Sequence, residues 1–332
     1  MKKKIWSMAV LLAGCVLFSV FSVRCMVVMP GQRMATAPVG VDAVLRERSD
    51  RLRAHIHYLS VEVGERNLSV AGSLTRAGEY VERSFRQGNL EPHRETYLVD
   101  EHQVFNIVAE IRGSELPEEL LVIGAHYDSA LGTPGADDNA SGVAAMLELC
   151  SALARAPLKR TVRCVAFVNE EMPWFNTPLQ GAAVHATLAR ERGDQIVGMF
   201  SLETLAYFSE ETGSQHYPAP FSWFYPNKGS FIGFVGNMRS MGFVRRSVGL
   251  FRETKVFPSE GVAAPGFIEG VGWSDHKAFW DHGWPAVMVT DTAPFRNPHY
   301  HQATDVLEHV DSVSLGRVVE GLLHVVITLA NE

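Results

Sequence analysis

The chain has 332 residues and a mass of 36.7 kDa, with 46% apolar and 20% charged residues, a balance that excludes wholesale disorder. Its net charge of −7 hides an asymmetry: residues 1–33 hold five basic residues and no acid, leaving 25 basic against 37 acidic residues in the body. So acidic a body has no bulk electrostatic reason to bind nucleic acid, and four cysteines in this length do not make a disulfide scaffold.

In chain order, Lys2, Lys3 and Lys4 precede residues 5–23, a run of nineteen uncharged positions, close to the ~20 a helix needs to cross a bilayer. The basic start places the body across the membrane, outside the cytoplasm. The segment 1–24 is read as a membrane anchor or signal. An uncleaved anchor is favoured over a lipoprotein signal ending at Cys15 and over a cleaved secretory signal. Residues 25–40 have no sustained period and read as a linker, and 41–332 as one domain. Helical periodicity covers 41–59 and 74–87; apolar, β-branched runs at 104–111 and 120–123 predict strands. A small-residue helix follows at 141–154, with Asn139 and Ser141 as candidate caps. Strand 162–168, helix 182–191, strand 196–202, helix 240–250, strand 286–289 and an amphipathic helix at 314–329 complete the body. This alternation predicts an α/β three-layer sandwich with a mixed, largely parallel central sheet flanked by helices. Cys150 and Cys164 lie in apolar segments and read as buried free thiols, a disulfide between them being the alternative in an oxidising compartment.

Such a sheet places ligand chemistry at the carboxyl ends of its strands, where this chain concentrates polar residues. One strand runs into His126 and Asp128, two positions apart on extended chain and so on one side. Asp137 and Asp138 stand before the small-residue helix, Glu170 and Glu171 follow a third strand, and Glu203 interrupts an apolar run. A charge inside such a run needs a partner or a metal. His299, Tyr300 and His301 follow the last strand. Oxygen and imidazole donors without thiolates suit zinc, and they are too many for one tetrahedral site. They fit a two-metal site in which one carboxylate bridges the ions.

The order HxD, GADDNASG, NEE, E and YH, between about residues 118 and 311, resembles the M28 family of zinc metallopeptidases. The resemblance implies two zinc ions per chain, one held by His126 and Glu203, the other by Glu171 and His301, with Asp138 as bridge and Asp137 only a neighbour. It implies a cis peptide at Asp138-Asn139, Asp128 fixing the His126 tautomer, and Glu170 as general base passing a proton from the attacking water to the leaving amine. Tyr300 takes the place of a tyrosine that steadies the oxyanion in some members, or is a packed aromatic. Where many members carry an aspartate, this chain has Glu203, whose carboxylate reaches about one methylene further.

The activity implied is that of an aminopeptidase acting on peptides, because an acidic cluster suits a substrate ammonium. The alternatives are the carboxypeptidase branch, a glutaminyl cyclase with one zinc, and a scaffold without catalysis. The intact ADDNASG motif and the complete ligand set favour the peptidase. The aromatic stretch 216–231, with Trp174 and Phe175, is a candidate lining for an apolar side-chain pocket. Asp275 and His276 read as structural, and Glu260 as a solvated loop acid.

Overall fold

The computed structural model describes residues 23–332. The apolar amino-terminal segment, with Cys15, therefore lies almost wholly outside the described residues. Helix α1 (Ala43–His57) begins where the Asp42 carboxylate accepts the Leu45 N–H at 2.8 Å, and buries Leu45, Leu52 and Ile56 along one face. It loosens into a wider, π-type turn over Tyr58–Val63, and α2 (Ser73–Gln87) follows.

The strands are β1 (His93–Val99), β2 (His102–Ile111), β3 (Leu116–His126), β4 (Arg160–Phe167), β5 (Gln195–Glu203), β6 (Ile232–Gly236), β7 (Ser259–Ala263) and β8 (Ala286–Thr290). They form one sheet in the order β1-β2-β4-β3-β5-β8-β6-β7. The centre, β4-β3-β5-β8, is parallel; β2 runs against both β1 and β4, and the parallel pair β6-β7 joins the sheet with β6 antiparallel to β8. The period-2 alternation of β3 divides the core. Leu121 and Ile123 join the large cluster on one face, whereas Leu120 and Val122 join Val165, Phe167 and Met199 on the other. The first face is covered by α1, α2, α3 (Gly142–Leu153), α5 (Met241–Thr254) and α7 (Ser312–Asn331), the second by α4 (Gly181–Arg192) and α6 (His276–Asp281). Helix α7 is long and apolar enough to cross a membrane by composition, but most of it is buried against α1 and α5.

The expected three-layer fold is present, and three strands and one helix were not anticipated. β1 is an edge strand of polar alternation; β6 and β7 have five residues each and contain glycine; α6 has six residues. β1 is too polar, and the other three are too short, to show a hydrophobic period. Two residue readings are corrected. Cys150 on α3 and Cys164 on β4 are joined in a disulfide rather than left as free thiols. Of the two candidate caps only Asn139 acts, its Oδ1 accepting the Gly142 N–H at 3.1 Å, because the Ser141 hydroxyl is engaged with the Asp137 carbonyl.

Candidate metal centre

Four parallel strands deliver the polar residues to one edge of the sheet. β3 ends on His126, β5 ends on Glu203, the turn after β4 carries Glu170 and Glu171, and the loop beyond β8 carries Tyr300 and His301. His126 Nε2 lies 3.3 Å from Asp138 Oδ1 and 3.3 Å from Glu203 Oε2. His301 Nε2 lies 3.0 Å from Asp138 Oδ2 and 3.3 Å from Glu171 Oε2. Two clusters of ligand atoms thus form, His126/Asp138/Glu203 and Asp138/Glu171/His301, with Asp138 common to both. Glu170 Oε2 stands 3.9 Å from His126 Nε2, beside the first cluster and a member of neither.

The supporting bonds explain how a chain can hold so many acids together. Asp128 lies 3.4 Å from His126 Nδ1, long for a hydrogen bond, and accepts the backbone N–H groups of Glu170 and Glu171 at 3.1 Å each. One carboxylate therefore sets both glutamates and faces the histidine ring. Asp305 accepts the N–H groups of Asp137 and Asp138 at 2.9 and 3.0 Å, across the peptide pair that leads into a cis Asp138-Asn139 bond. Ser274 Oγ donates to Glu203 Oε2 at 2.8 Å. Asp137 is taken up by the Ala206 N–H and the Asn297 amide, and so stays outside both clusters. Arg66 is wholly buried and donates to the carbonyls of Leu59, Gly64, Tyr127, Pro134 and Gly135, clamping the loop between His126 and Asp138.

Burial pushes the Glu170 and Glu203 carboxyls above their ordinary range, Glu171 up to about 7 and Asp275 up to about 8; neighbouring carboxylates reinforce each shift. Burial works against a charged His126 or His301, but the surrounding carboxylates win, raising His126 well above its usual value and His301 to about 10. Asp138 is held low despite its burial, by these two histidines. Two imidazoles do not balance this many acids. Asp138 Oδ1 and Glu171 Oε1 are also buried without a hydrogen-bond partner. Unmet acceptors, excess negative charge and an oxygen-and-imidazole donor set fit divalent metal, zinc in particular.

The remaining candidates fall elsewhere. His299 stacks on His309 and bonds Thr304, away from the acids. His276 Nε2 donates to the Val271 carbonyl, and Asp275 accepts from Gln180; neither belongs to a cluster. The Tyr300 ring stacks on His301 with centroids 3.9 Å apart; burial, then the neighbouring acids, push its hydroxyl far up. Glu203 and Tyr300 also line a cleft that continues over β6 and β7. The aromatic stretch contributes Tyr217, Phe221, Tyr225 and Phe231 to it. Trp174 instead packs on the main core, and neither it nor Phe175 reaches the cleft. Glu260 is corrected as well: it is a buried residue of β7 lining the cleft, not a solvated loop acid.

Residues 106–326 match peptidase family M28. The chain belongs to this family. It is a zinc metallopeptidase in kind, a hydrolase of peptide bonds. A protein of Escherichia coli (strain K12) named "Uncharacterized protein YfbL" is 36% identical over 82% of this chain and 86% of its own length. A "Probable leucine aminopeptidase" of Arthroderma otae is 28% identical over 72% of this chain, which spans 60% of that protein. Among solved structures, the M28 fold here superposes on a zinc aminopeptidase from Bacillus subtilis with a TM-score of 0.69 at 13% identity, covering 86% of this chain and 95% of that one. A Porphyromonas gingivalis glutaminyl cyclase gives 0.64 at 17% identity over 85% and 98%. At these identities the likeness is one of fold.

Arg66, Asp305 and Ser274 carry no role in the sequence reading, although they hold the motif residues in place. Arg66 lies outside every motif, whereas Ser274 and Asp305 stand at the first position of SDHKAFWDHGWPAVMVTDT and the last of YHQATD, two further M28-like stretches that assign neither residue a role.

Proposed function

We propose that this M28 chain is an aminopeptidase with two zinc ions, releasing the amino-terminal residue of peptides outside the cytoplasm. The observation that carries the reading is the pair of clusters sharing Asp138, with Glu170 poised beside them. His126 and Glu203 would hold one ion, Glu171 and His301 the other, and Asp138 would bridge. When bound, the ions polarise the scissile carbonyl and ease deprotonation of the attacking water. Glu170 takes that proton and returns it to the leaving amine; burial, which holds its carboxyl above the usual carboxylate range, suits the two-way transfer. Asp128 fixes the backbone of the Glu170-Glu171 pair, so the base and its neighbouring ligand move together. Tyr300, which lines the cleft together with Glu203, would donate to the developing oxyanion.

The excess of acids favours a substrate ammonium over a carboxylate, hence release from the amino end. The aromatic cleft beside Glu203 accommodates an apolar first side chain, which agrees with the leucine preference in the name of the Arthroderma relative. Lys2 to Lys4 ahead of an apolar run support a membrane-held body, and the Cys150–Cys164 disulfide supports an oxidising compartment.

The test is a zinc count on the purified full chain together with a panel of aminoacyl chromogenic amides, with and without chelator. Two ions per chain and chelator-sensitive release of apolar residues are expected. One ion with cyclisation of glutaminyl peptides would transfer the protein to cyclase chemistry. Metal loading without turnover of either kind would leave a binding scaffold.

A further inference from the structure

The cleft is aromatic along most of its wall, yet a buried carboxylate, Glu260, is set into it. Its partner comes from an unexpected part of the chain. Arg33, 227 positions earlier, brings Nε to within 2.8 and 3.0 Å of the two Glu260 oxygens, and its Nη2 closes on Oε1. Arg252 reaches only Oε2, at 3.3 Å, and is otherwise committed to the carbonyls of Met29, Pro30 and Ser259. Glu260 Oε1 therefore depends on Arg33 alone among the described residues.

The strap that presents Arg33 is held in place. Met29 is buried against Gly261, Pro30 packs on Gly249, and Gly31 sits at φ +80° where a Cβ would press on Arg252. A second cavity, lined by Val27, Gly31, Arg33, Phe224 and Arg252, adjoins Glu260 on the strap side. The carboxylate is thus a partition: the aromatic cleft lies on one side and the strap with its guanidinium on the other. The Arg33 side chain is half exposed, while Glu260 is not.

We propose that Glu260 is a specificity-determining residue of the cleft, and that Arg33 acts as a resident cation which cancels its charge and so reserves the cleft for uncharged side chains. This deepens the aminopeptidase reading and rests on it for the identity of the occupant. Without Arg33, Arg252 still reaches Oε2 but Oε1 loses its partner, and an unmet oxygen of a buried carboxylate favours a cationic donor. That donor is then supplied by the ligand, so that the tip of a lysine or arginine side chain takes the place of the Arg33 guanidinium. The residues preceding Arg33 lead directly to the apolar amino-terminal run, so the choice of side chain is made by the part of the chain that emerges from that run.

Two measurements on the zinc-loaded full chain test this. Isothermal titration compares n-hexylammonium with 1-hexanol, a charged and a neutral ligand of equal length. R33A should shift the ratio of their affinities toward the ammonium by on the order of tenfold or more. R33K should stay near the parent chain, and E260Q placed in the R33A background should abolish the gain. In parallel, the ratio of kcat/KM for lysyl over leucyl p-nitroanilide should rise in R33A and fall back in R33A/E260Q. An unchanged affinity ratio in R33A, or a gain that survives E260Q, overturns the proposal. Failure of the parent chain to cleave any aminoacyl amide would sink the aminopeptidase reading instead, and the amine titration would still decide the role of Arg33. Thermal melting of each variant separates these results from loss of fold.

Discussion

Two buried groups of charge in this molecule behave in opposite ways. At the carboxyl edge of the parallel strands, Glu170, Glu171, Glu203 and Asp275 are all pushed up, first by burial and then by one another. On the opposite sheet face, Glu95 of β1 accepts from His185 Nδ1 at 2.7 Å and from Arg192 at 3.2 Å, while Asp194 accepts from Arg163 at 2.6 Å and from Arg192 at 3.0 Å. There burial opposes the charged form as well, but the partners win: Glu95 is held down at about 2, and Asp194 lies below its usual range. Burial is comparable in kind, and the difference is compensation. Charge that finds its partners within the fold is structural, and charge left unmet marks the place where an external cation belongs.

The comparison breaks most visibly at Glu170. Glu170→Gln should lower turnover by about 10²–10⁴-fold while zinc content stays at the parent value, since the base is removed and the ligand set kept. Loss of metal in a folded variant would make Glu170 a ligand. His301→Ala should do the reverse, lowering zinc content together with activity by at least tenfold. An unchanged metal count would remove His301 from the second cluster. On the compensated side, Glu95→Gln should leave zinc and kcat intact but destabilise the neutral-pH protein by about 3 kcal/mol, because despite its burial His185 and Arg192 hold its carboxyl down at about 2. A carboxylate whose folded pKa lies below its unfolded one stabilises above the unfolded value. The contribution of Glu95 is therefore present above about pH 4.5 and lost as pH falls toward 2. Urea midpoints of parent and variant should converge across that window, and parallel curves would refute the assignment. The smallest effect is expected at the exposed Lys277–Asp281 pair on α6, where Lys277→Ala should cost under about 0.5 kcal/mol and leave the pH profile unmoved.

The uncompensated cluster was largely legible in the sequence, and the compensated one was not. His126, Glu171 and Glu203 stand at or inside the ends of apolar runs, where a charged side chain conflicts with its neighbours and draws notice, whereas Asp138 and His301 lie in polar stretches and are marked by the resemblance of GADDNASG and YH to the M28 pattern. Glu95 lies in a polar edge strand, HRETYLV, in which a charge conflicts with nothing, and its partners sit about ninety positions away on α4. The same holds for Arg66, whose five carbonyl partners come from the surrounding loop and from residues some sixty to seventy positions on. Glu260 was misjudged because SEGVA offers no period long enough to reveal a buried strand. Its burial depends on β6, on the cleft aromatics and on a strap from the far end of the chain. Fold class and donor set are written locally, whereas the bonds that aim the donors are tertiary and leave no local mark.

The Cys150–Cys164 bridge joins α3, which follows Asp138 and Asn139, to β4, which leads to Glu170 and Glu171. The turn between them carries the exposed residues Arg155 and Pro157, a ready target for an endopeptidase. A single nick there would fall inside the closed ring, so the two fragments would stay one molecule, with the shared aspartate on one piece still tethered to the base on the other. The cut should appear on a gel only after reduction.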